Sequence, residues 1–271
     1  VIYDYLKEMR IKHWYKAGIV FVAPTLAGVV FSKFFSVFLA FLSFGLVASS
    51  IYVINDLKDA KNDRLHPKKK ERPIASGRIG KKFALFFSLL LVTSAFYLSN
   101  MVNKEVAYTV GLYFLLMITY TYYLKKRVII DAFTISIGFL LRALAGAFAA
   151  GVSATQWLYL GIFSFAMYLT FCKRYTEIML ASTKHKETLE DYKPIINILI
   201  SISGATTLVL YAIYAIDKGG MLFWSVPLAF LGGLLHIRET FLGKEVHESL
   251  KNPDIFFTFL GFVILVLLSI Y

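Results

Sequence analysis

Asn55, Asp56, Asp59 and Asp63 place four oxygen-bearing side chains in one short stretch. If that stretch is helical, Asn55, Asp59 and Asp63 stand at i, i+4 and i+8 on one face, with Asp56 beside them. Three carboxylates gathered in this way repel one another unless a cation sits between them. Hard oxygen donors at this spacing suit Mg²⁺, which is usually held by one or two carboxylates together with substrate phosphates. A solvated helix end, its acids alternating with Lys58, Lys61 and Arg64, has the same spacing, so spacing alone leaves both readings open. Lys58 is expected to point partly away from the metal face, toward headgroups or water.

The loop that follows, from His66 to Arg78, is basic and rich in turn residues. A loop that only sets membrane topology needs positive charge but no acidic cluster. A pyrophosphate site needs both, with acids for the metal and Arg or Lys for the phosphate oxygens. Lys68, Lys69 and Lys70 read as topological, and Arg72, just before the Pro and Gly turn, is the better phosphate candidate. Arg142 falls about midway along an apolar run, where a charge is costly in lipid and faces protein or a wet cavity. Its small neighbours Ala143, Ala145, Gly146, Ala147 and Gly151 permit close helix approach, so a structural salt bridge is the competing reading. Asp131, at the start of the same helix, either orients Lys or Arg groups around a sugar or phosphate or simply favours the helix dipole. Tyr122, Tyr123 and Tyr168 lie close enough to charged helix ends to line a pocket. The histidines show no spacing typical of a transition-metal site.

Elements that could position these residues must be membrane helices. Of the 271 residues 58% are hydrophobic and only 17% charged, against roughly 25% charged in soluble proteins. Cys172 is the single cysteine, which rules out a disulfide scaffold, and the 17% aromatic content rules out disorder. Because a span needs roughly 20 mainly apolar residues, nine candidates emerge, at about 17–31, 35–54, 83–99, 106–123, 129–151, 157–172, 195–216, 221–236 and 255–271. They are continuously apolar, whereas an outer-membrane barrel would alternate.

The net charge of +12 is distributed unevenly. Apart from Lys33, Lys104, Lys218 and Arg142, every Lys and Arg lies in the amino-terminal segment or in the loops at 55–82, 124–128, 173–194 and 237–254. Those segments alternate with the remaining loops, which predicts a multi-pass protein of the cell membrane with a cytoplasmic amino terminus and active site and an outside carboxyl terminus. This placement assigns the charge to topology and phosphate chemistry; no nucleic-acid partner is expected. Residues 1–16 lack the apolar region of a cleavable signal peptide. With Lys7, Arg10, Lys12, Trp14 and Lys16 they read instead as an interfacial amphipathic segment on anionic headgroups, preceding a single transmembrane domain.

Asn55-Asp56-x-x-Asp59-x-x-x-Asp63, followed by Arg72-Pro73-Ile74-Ala75-Ser76-Gly77 and set among nine spans, resembles the first signature of the UbiA superfamily of intramembrane prenyltransferases. The resemblance covers nearly the whole chain. It implies an all-α integral membrane fold, nine transmembrane helices around a central cavity, and acidic motifs that bind Mg²⁺ and the pyrophosphate of a donor. It also implies a lipid-facing opening for a long-chain isoprenoid. Asn55, Asp56, Asp59 and Asp63 are then the expected metal ligands, and Asp59, Asp63 and Asp131 the catalytic carboxylates.

The second motif departs from the aromatic prenyltransferases, where it reads approximately Lys-Asp-x-x-Asp. Here it is Lys173-Arg174-Tyr175-Thr176-Glu177, with arginine in place of the first acid. That favours phosphate-binding cations over a second metal cluster. Together with His13-Trp14-Tyr15-Lys16, where Ala17 replaces an expected Asn, the segment Tyr123-Leu124-Lys125-Lys126 through Asp131, and the stretch Gly138 to Gly146, it resembles a phosphoribosyltransferase branch of the superfamily. The resemblance implies substrate contacts at Lys16, Arg72, Tyr123, Lys125, Lys126, Arg142, Lys173, Arg174 and Glu177. A phosphoribosyl pyrophosphate donor and a polyprenyl phosphate acceptor are the favoured substrates. An isoprenyl pyrophosphate donor alkylating an aromatic or quinone precursor is the alternative, and a transporter of anionic metabolites the third reading.

Overall fold

A computed structural model describes residues 2–67, 69–180, 187–244 and 246–271. Lys68 of the topological run, and part of the basic loop expected at 173–194, lie outside the described residues. Those described are helical, with no strand among them. The chain forms two compact units, Val1–Tyr122 with Leu141–Ser153, and Tyr123–Leu140 with Ala154–Tyr271.

In the first unit, α1 (Ile2–Met9) leads into a 3₁₀ helix, Ile11–Phe21, and a short α-helical piece, Val22–Leu26. Helix α2 (Phe34–Leu65) follows, then α3 (Lys81–Val102) and α4 (Lys104–Thr119), which continues through a π-helical turn to Leu124. The next helix, α5 (Ile130–Ala150), contributes residues to each unit. The second unit is completed by α6 (Gln156–Leu180), α7 (Glu187–Tyr192), α8 (Ile196–Lys218), α9 (Val226–Phe241) and α10 (Pro253–Ile270).

Seven helices among the described residues are long and apolar enough to cross a membrane. Of the nine expected spans seven are thus supported as candidates, and nine are not confirmed. The first, at 17–31, is not one long helix, because the 3₁₀ segment and its short successor leave no run of sufficient length. The sixth lies within α6, which has the length, but its apolar run is diluted by Gln156, Trp157, Tyr159, Ser164, Tyr168 and Thr170.

Helix α2 has 32 residues, which at 1.5 Å per residue is about 48 Å, well beyond a hydrocarbon core of about 30 Å. Its apolar first part can span the core while the rest continues as helix. The acidic motif is thus carried on a rigid extension, with Asn55, Asp59 and Asp63 in the register the sequence predicts. Helix α3 packs along α2 through small polar residues: the Ser50 hydroxyl lies 2.9 Å from both the backbone oxygen and the hydroxyl of Ser88.

Two close approaches dock the amino-terminal segment. The Trp14 ring lies where a side chain at Gly45 would stand, 2.6 Å from that Cβ position, and its Nε1 donates to Ser49 Oγ at 3.0 Å. At Gly146 of α5, a Cβ would meet the Val20 carbonyl oxygen at 1.8 Å. The small-residue run around Arg142 therefore permits a backbone contact, as its composition suggests.

Gly146→Ala should therefore destabilise the protein by about 1–3 kcal/mol through overpacking against backbone. Gly161→Ala, with nothing within 4 Å of the new methyl group, should be neutral or slightly stabilising. Thermal unfolding of both variants in the same detergent checks the contrast.

Candidate active site

The first unit places arginines against the acidic helix. Arg10 Nη2 donates to Asp56 Oδ1 and Oδ2 at 2.6 and 2.5 Å. Arg72 Nη1 bridges Asp56 Oδ1 at 3.0 Å and Asp63 Oδ2 at 2.6 Å. Asp56 and Asp63 are buried, whereas Asn55 and Asp59 are partly exposed. Asp56 and Asp63 are seven residues apart, two helical turns, so one guanidinium reaches both.

The sequence explains how the arginines arrive. Arg72 begins a turn in which Ser76 N donates to the Arg72 carbonyl at 2.8 Å, and Gly77 adopts φ +82° at little steric cost. Ile74, Ala75 and Ile79 are buried, with Ile74 and Ile79 sharing an apolar cluster with Ala60 of α2. Arg64 Nε donates to the Ala75 carbonyl at 2.9 Å and closes the loop onto the helix. Arg10 stands at the junction of α1 and the 3₁₀ helix with φ +50°, an uncommon conformation for a residue with a side chain. Glu8 is buried beside them and accepts from Ile74 N at 3.2 Å. Burial, and then the negative charge of Asp56, push its carboxyl up to about 7.

Lys58 is exposed, in keeping with a side chain pointing partly toward water, and its Nζ also donates to the carbonyls of Thr121 and Tyr122 at 2.6 and 3.3 Å and lies 4.4 Å from the Tyr122 ring centre. These carbonyls belong to the π-helical turn ending α4, whose oxygens attract a cation. Arg142 is 6% exposed; its Nη2 donates to the Tyr113 hydroxyl at 2.7 Å and its guanidinium lies 4.5 Å from that ring centre and 5.8 Å from that of Phe44. Lys16 is partly exposed, with Nζ 6.0 Å from the Tyr15 ring centre.

The second unit has its own carboxylate and arginine cluster. Asp131, in the first turn of α5 and 1% exposed, accepts from Arg174 Nε at 3.0 Å, and Arg174 Nη2 lies 2.9 Å from the same oxygen. Its other oxygen accepts from the Tyr192 hydroxyl. Arg174 Nη1 donates to Glu177 Oε2 at 2.6 Å. Asp131 thus both meets a cation and stands in the first turn of α5, so each of the two roles open to it fits its place. Lys173, Lys126 and Tyr123 are exposed and Lys125 partly so. Tyr168, in contrast, is buried, with its hydroxyl 2.7 Å from His236 Nδ1.

Among the described residues no group of three or more His, Cys, Asp or Glu side chains is arranged to hold a metal. The donor chemistry of Asn55, Asp59 and Asp63 nevertheless fits Mg²⁺, whose first shell is completed by substrate oxygens and water. Asp56 differs from its expected place in that set, because both its oxygens are already engaged by guanidinium groups. Arg10 and Tyr192 were not legible as site residues: Arg10 reads as one more interfacial cation, and Tyr192 lies far along the sequence from Asp131.

These features define a helical membrane protein in which each unit pairs buried carboxylates with arginines. The description "UbiA prenyltransferase family" matches residues 17–258, and the chain belongs to that family, whose members are transferases. Over 222 residues it is 34% identical to a decaprenyl-phosphate phosphoribosyltransferase of Corynebacterium glutamicum, covering 78% of this chain and 67% of the relative. An enzyme of the same name from Mycolicibacterium smegmatis is 31% identical over 223 residues, 79% of this chain and 70% of the relative. The fold is similar to that of a UbiA homolog from Archaeoglobus fulgidus bound to GPP and Mg²⁺, with TM-score 0.70, 18% identity, and 98% and 96% of the two chains covered.

The raised Glu8 carboxyl makes a pH test. With a folded value of about 7 against 4.5 ordinarily, the neutral form is favoured by folding, so its contribution is full below about pH 4.5 and lost as pH rises through 7. Glu8→Gln should be less stable than the parent near pH 5 or equal to it, and gain relative to it toward pH 8. Melting temperatures of both proteins at pH 5, 6, 7 and 8 measure the crossover.

Proposed function

We propose that the chain transfers 5-phosphoribose from phosphoribosyl pyrophosphate to a polyprenyl phosphate, at a cytoplasm-facing site using Mg²⁺. The observation that carries this reading is Arg174, which stands where aromatic prenyltransferases have an acid and is held by Asp131 and Glu177. A wholly polar donor with an additional phosphate wants such a guanidinium. The names of the relatives from Corynebacterium glutamicum and Mycolicibacterium smegmatis speak of phosphoribosyl transfer and decaprenyl phosphate, which supports the same transferred group and kind of acceptor.

In this reading Asn55, Asp59 and Asp63 hold Mg²⁺, which when bound supplies charge neutralisation for the pyrophosphate. Asp56 holds Arg10 and Arg72 in place, and Arg72 offers its remaining N–H groups to the phosphate oxygens. Lys173 and Arg174 take the donor's other phosphate, with Glu177 and Asp131 fixing the angle of the guanidinium. Lys16, Tyr123, Lys125, Lys126 and Arg142 are assigned to substrate contacts. The bond from the ribose anomeric carbon to pyrophosphate breaks through an oxocarbenium-like state stabilised by these cations. A polyprenyl phosphate oxygen then bonds to that carbon, giving polyprenyl-phosphoryl-5-phosphoribose and pyrophosphate. Because the attacking phosphate oxygen is already anionic, no general base is required.

A second reading keeps an isoprenyl pyrophosphate donor and an aromatic or quinone-precursor acceptor. It is favoured by the structural likeness to homologs bound to GPP or DMAPP with Mg²⁺. Offering the protein in lipid both labelled donors with Mg²⁺, and asking which releases pyrophosphate, separates the two.

Asp59→Ala should abolish turnover with either donor while the protein stays folded, since Asp59 is partly exposed and span packing does not depend on it. Near-normal activity would return the motif to a solvated helix end. Arg174→Ala should raise the dissociation constant of phosphoribosyl pyrophosphate by one to two orders of magnitude, about 1.5–3 kcal/mol for a charge-assisted contact. Arg174→Lys should recover only part of this, because an ammonium lacks the planar fork. Donor titrations under identical Mg²⁺ give both values.

A further inference from the structure

Tyr192 ends the short helix α7 and is fully buried. Its ring belongs to an apolar cluster with Ala132, Phe171, Cys172 and Ile196, and crosses Phe171 edge-on at 6.3 Å between ring centres. A phenol so placed needs its hydroxyl satisfied. Here the hydroxyl accepts from Ile129 N at 2.8 Å and donates to Asp131 Oδ1. Burial, and then the bond to Asp131, raise the phenol's pKa, so it remains a donor.

Both partners of that hydroxyl bear on Arg174. Asp131 uses its other oxygen for Arg174 Nε and Nη2, so the carboxylate is held from both sides and has one orientation to offer. Ile129, immediately before α5, has φ +67°, a strained conformation for a β-branched residue that persists only where its surroundings fix it. The Tyr192 hydroxyl takes the N–H of this residue and so ties the entry of α5 to the end of α7. Without the hydroxyl, the buried Oδ1 would lack this donor and the carboxylate could turn, taking the guanidinium with it.

We propose that Tyr192 is a positioning residue for donor binding, acting through Asp131 to fix the Arg174 guanidinium. The proposal rests on the reading that Arg174 contacts a donor phosphate. It goes beyond that reading in assigning a catalytically silent, buried phenol from another helix to the donor's affinity. Tyr192 touches no reacting atom, so its signature is a change in donor KM with kcat little altered, as expected for a contact made equally in ground and transition states.

Tyr192→Phe keeps the packed ring and removes only the hydroxyl. In lipid nanodiscs with Mg²⁺, it should raise the KM and the dissociation constant of phosphoribosyl pyrophosphate about five- to tenfold, with kcat within about twofold and the acceptor KM unchanged. Tyr192→Phe combined with Arg174→Ala should bind the donor no more weakly than Arg174→Ala alone, because the hydroxyl acts through that arginine. A lower melting temperature with unchanged donor KM would reduce Tyr192 to a structural role and overturn the proposal, as would additive losses in the double variant. If Tyr192→Phe does not fold, Asp131→Asn must show the same loss of donor binding and the same non-additivity with Arg174→Ala, or the proposal fails. Unchanged donor binding in Arg174→Ala itself would instead locate the failure in the phosphate reading on which the proposal stands.

Discussion

A carboxylate removed from water must be met by a cation or by several hydrogen-bond donors, or it becomes protonated. Asp56 and Asp131 are each about 1% exposed, and the arrangement around each follows from how it is satisfied. Asp56 draws in Arg10 from the amino-terminal segment and Arg72 from the loop beyond α2; Asp131 draws in Arg174 from α6 and the hydroxyl of Tyr192. In both units a buried acid fixes arginines whose remaining N–H groups are suited to phosphate. Each acid thus organises the cations around it.

Helix length supplies the second constraint. A span only as long as the hydrocarbon core would leave the acidic motif on a loop, where its spacing would have no geometric meaning. Because α2 continues unbroken to Leu65, separations of four residues become neighbours on a stripe, and separations of seven place Asp56 and Asp63 within reach of one guanidinium. The arginine bridge also explains how acids so close together coexist before any substrate is considered.

Much of this was legible in the sequence because it depends on local periodicity. The helical acidic motif, the interior placement of Arg142 and the small residues beside it all follow from spacing within one element. Asp131 had two sequence readings, and its contact with Arg174 and its place in the first turn of α5 agree with both. What escaped depends on contacts across the chain. Arg10 could not be told from its basic neighbours without knowing that the chain turns at a left-handed residue. The partners of Lys58 escaped because the carbonyls that bind it belong to a π-helical turn more than sixty residues away. The first expected span is not confirmed for another reason: hydropathy records that residues 17–31 are apolar, but not that they divide into 3₁₀ and α-helical pieces.

The bridge made by Arg72 has an evolutionary consequence. Changing that residue alone would leave Asp63 without its ion pair and Asp56 dependent on Arg10, while neutralising either acid alone would shift the charge balance felt by the remaining groups. Positions 10, 56, 63 and 72 are therefore epistatic: the effect of a substitution at one depends on which residues occupy the other three. A change at one of them is expected to be tolerated best when its partner changes too, or when a neighbouring cation can take over the buried charge.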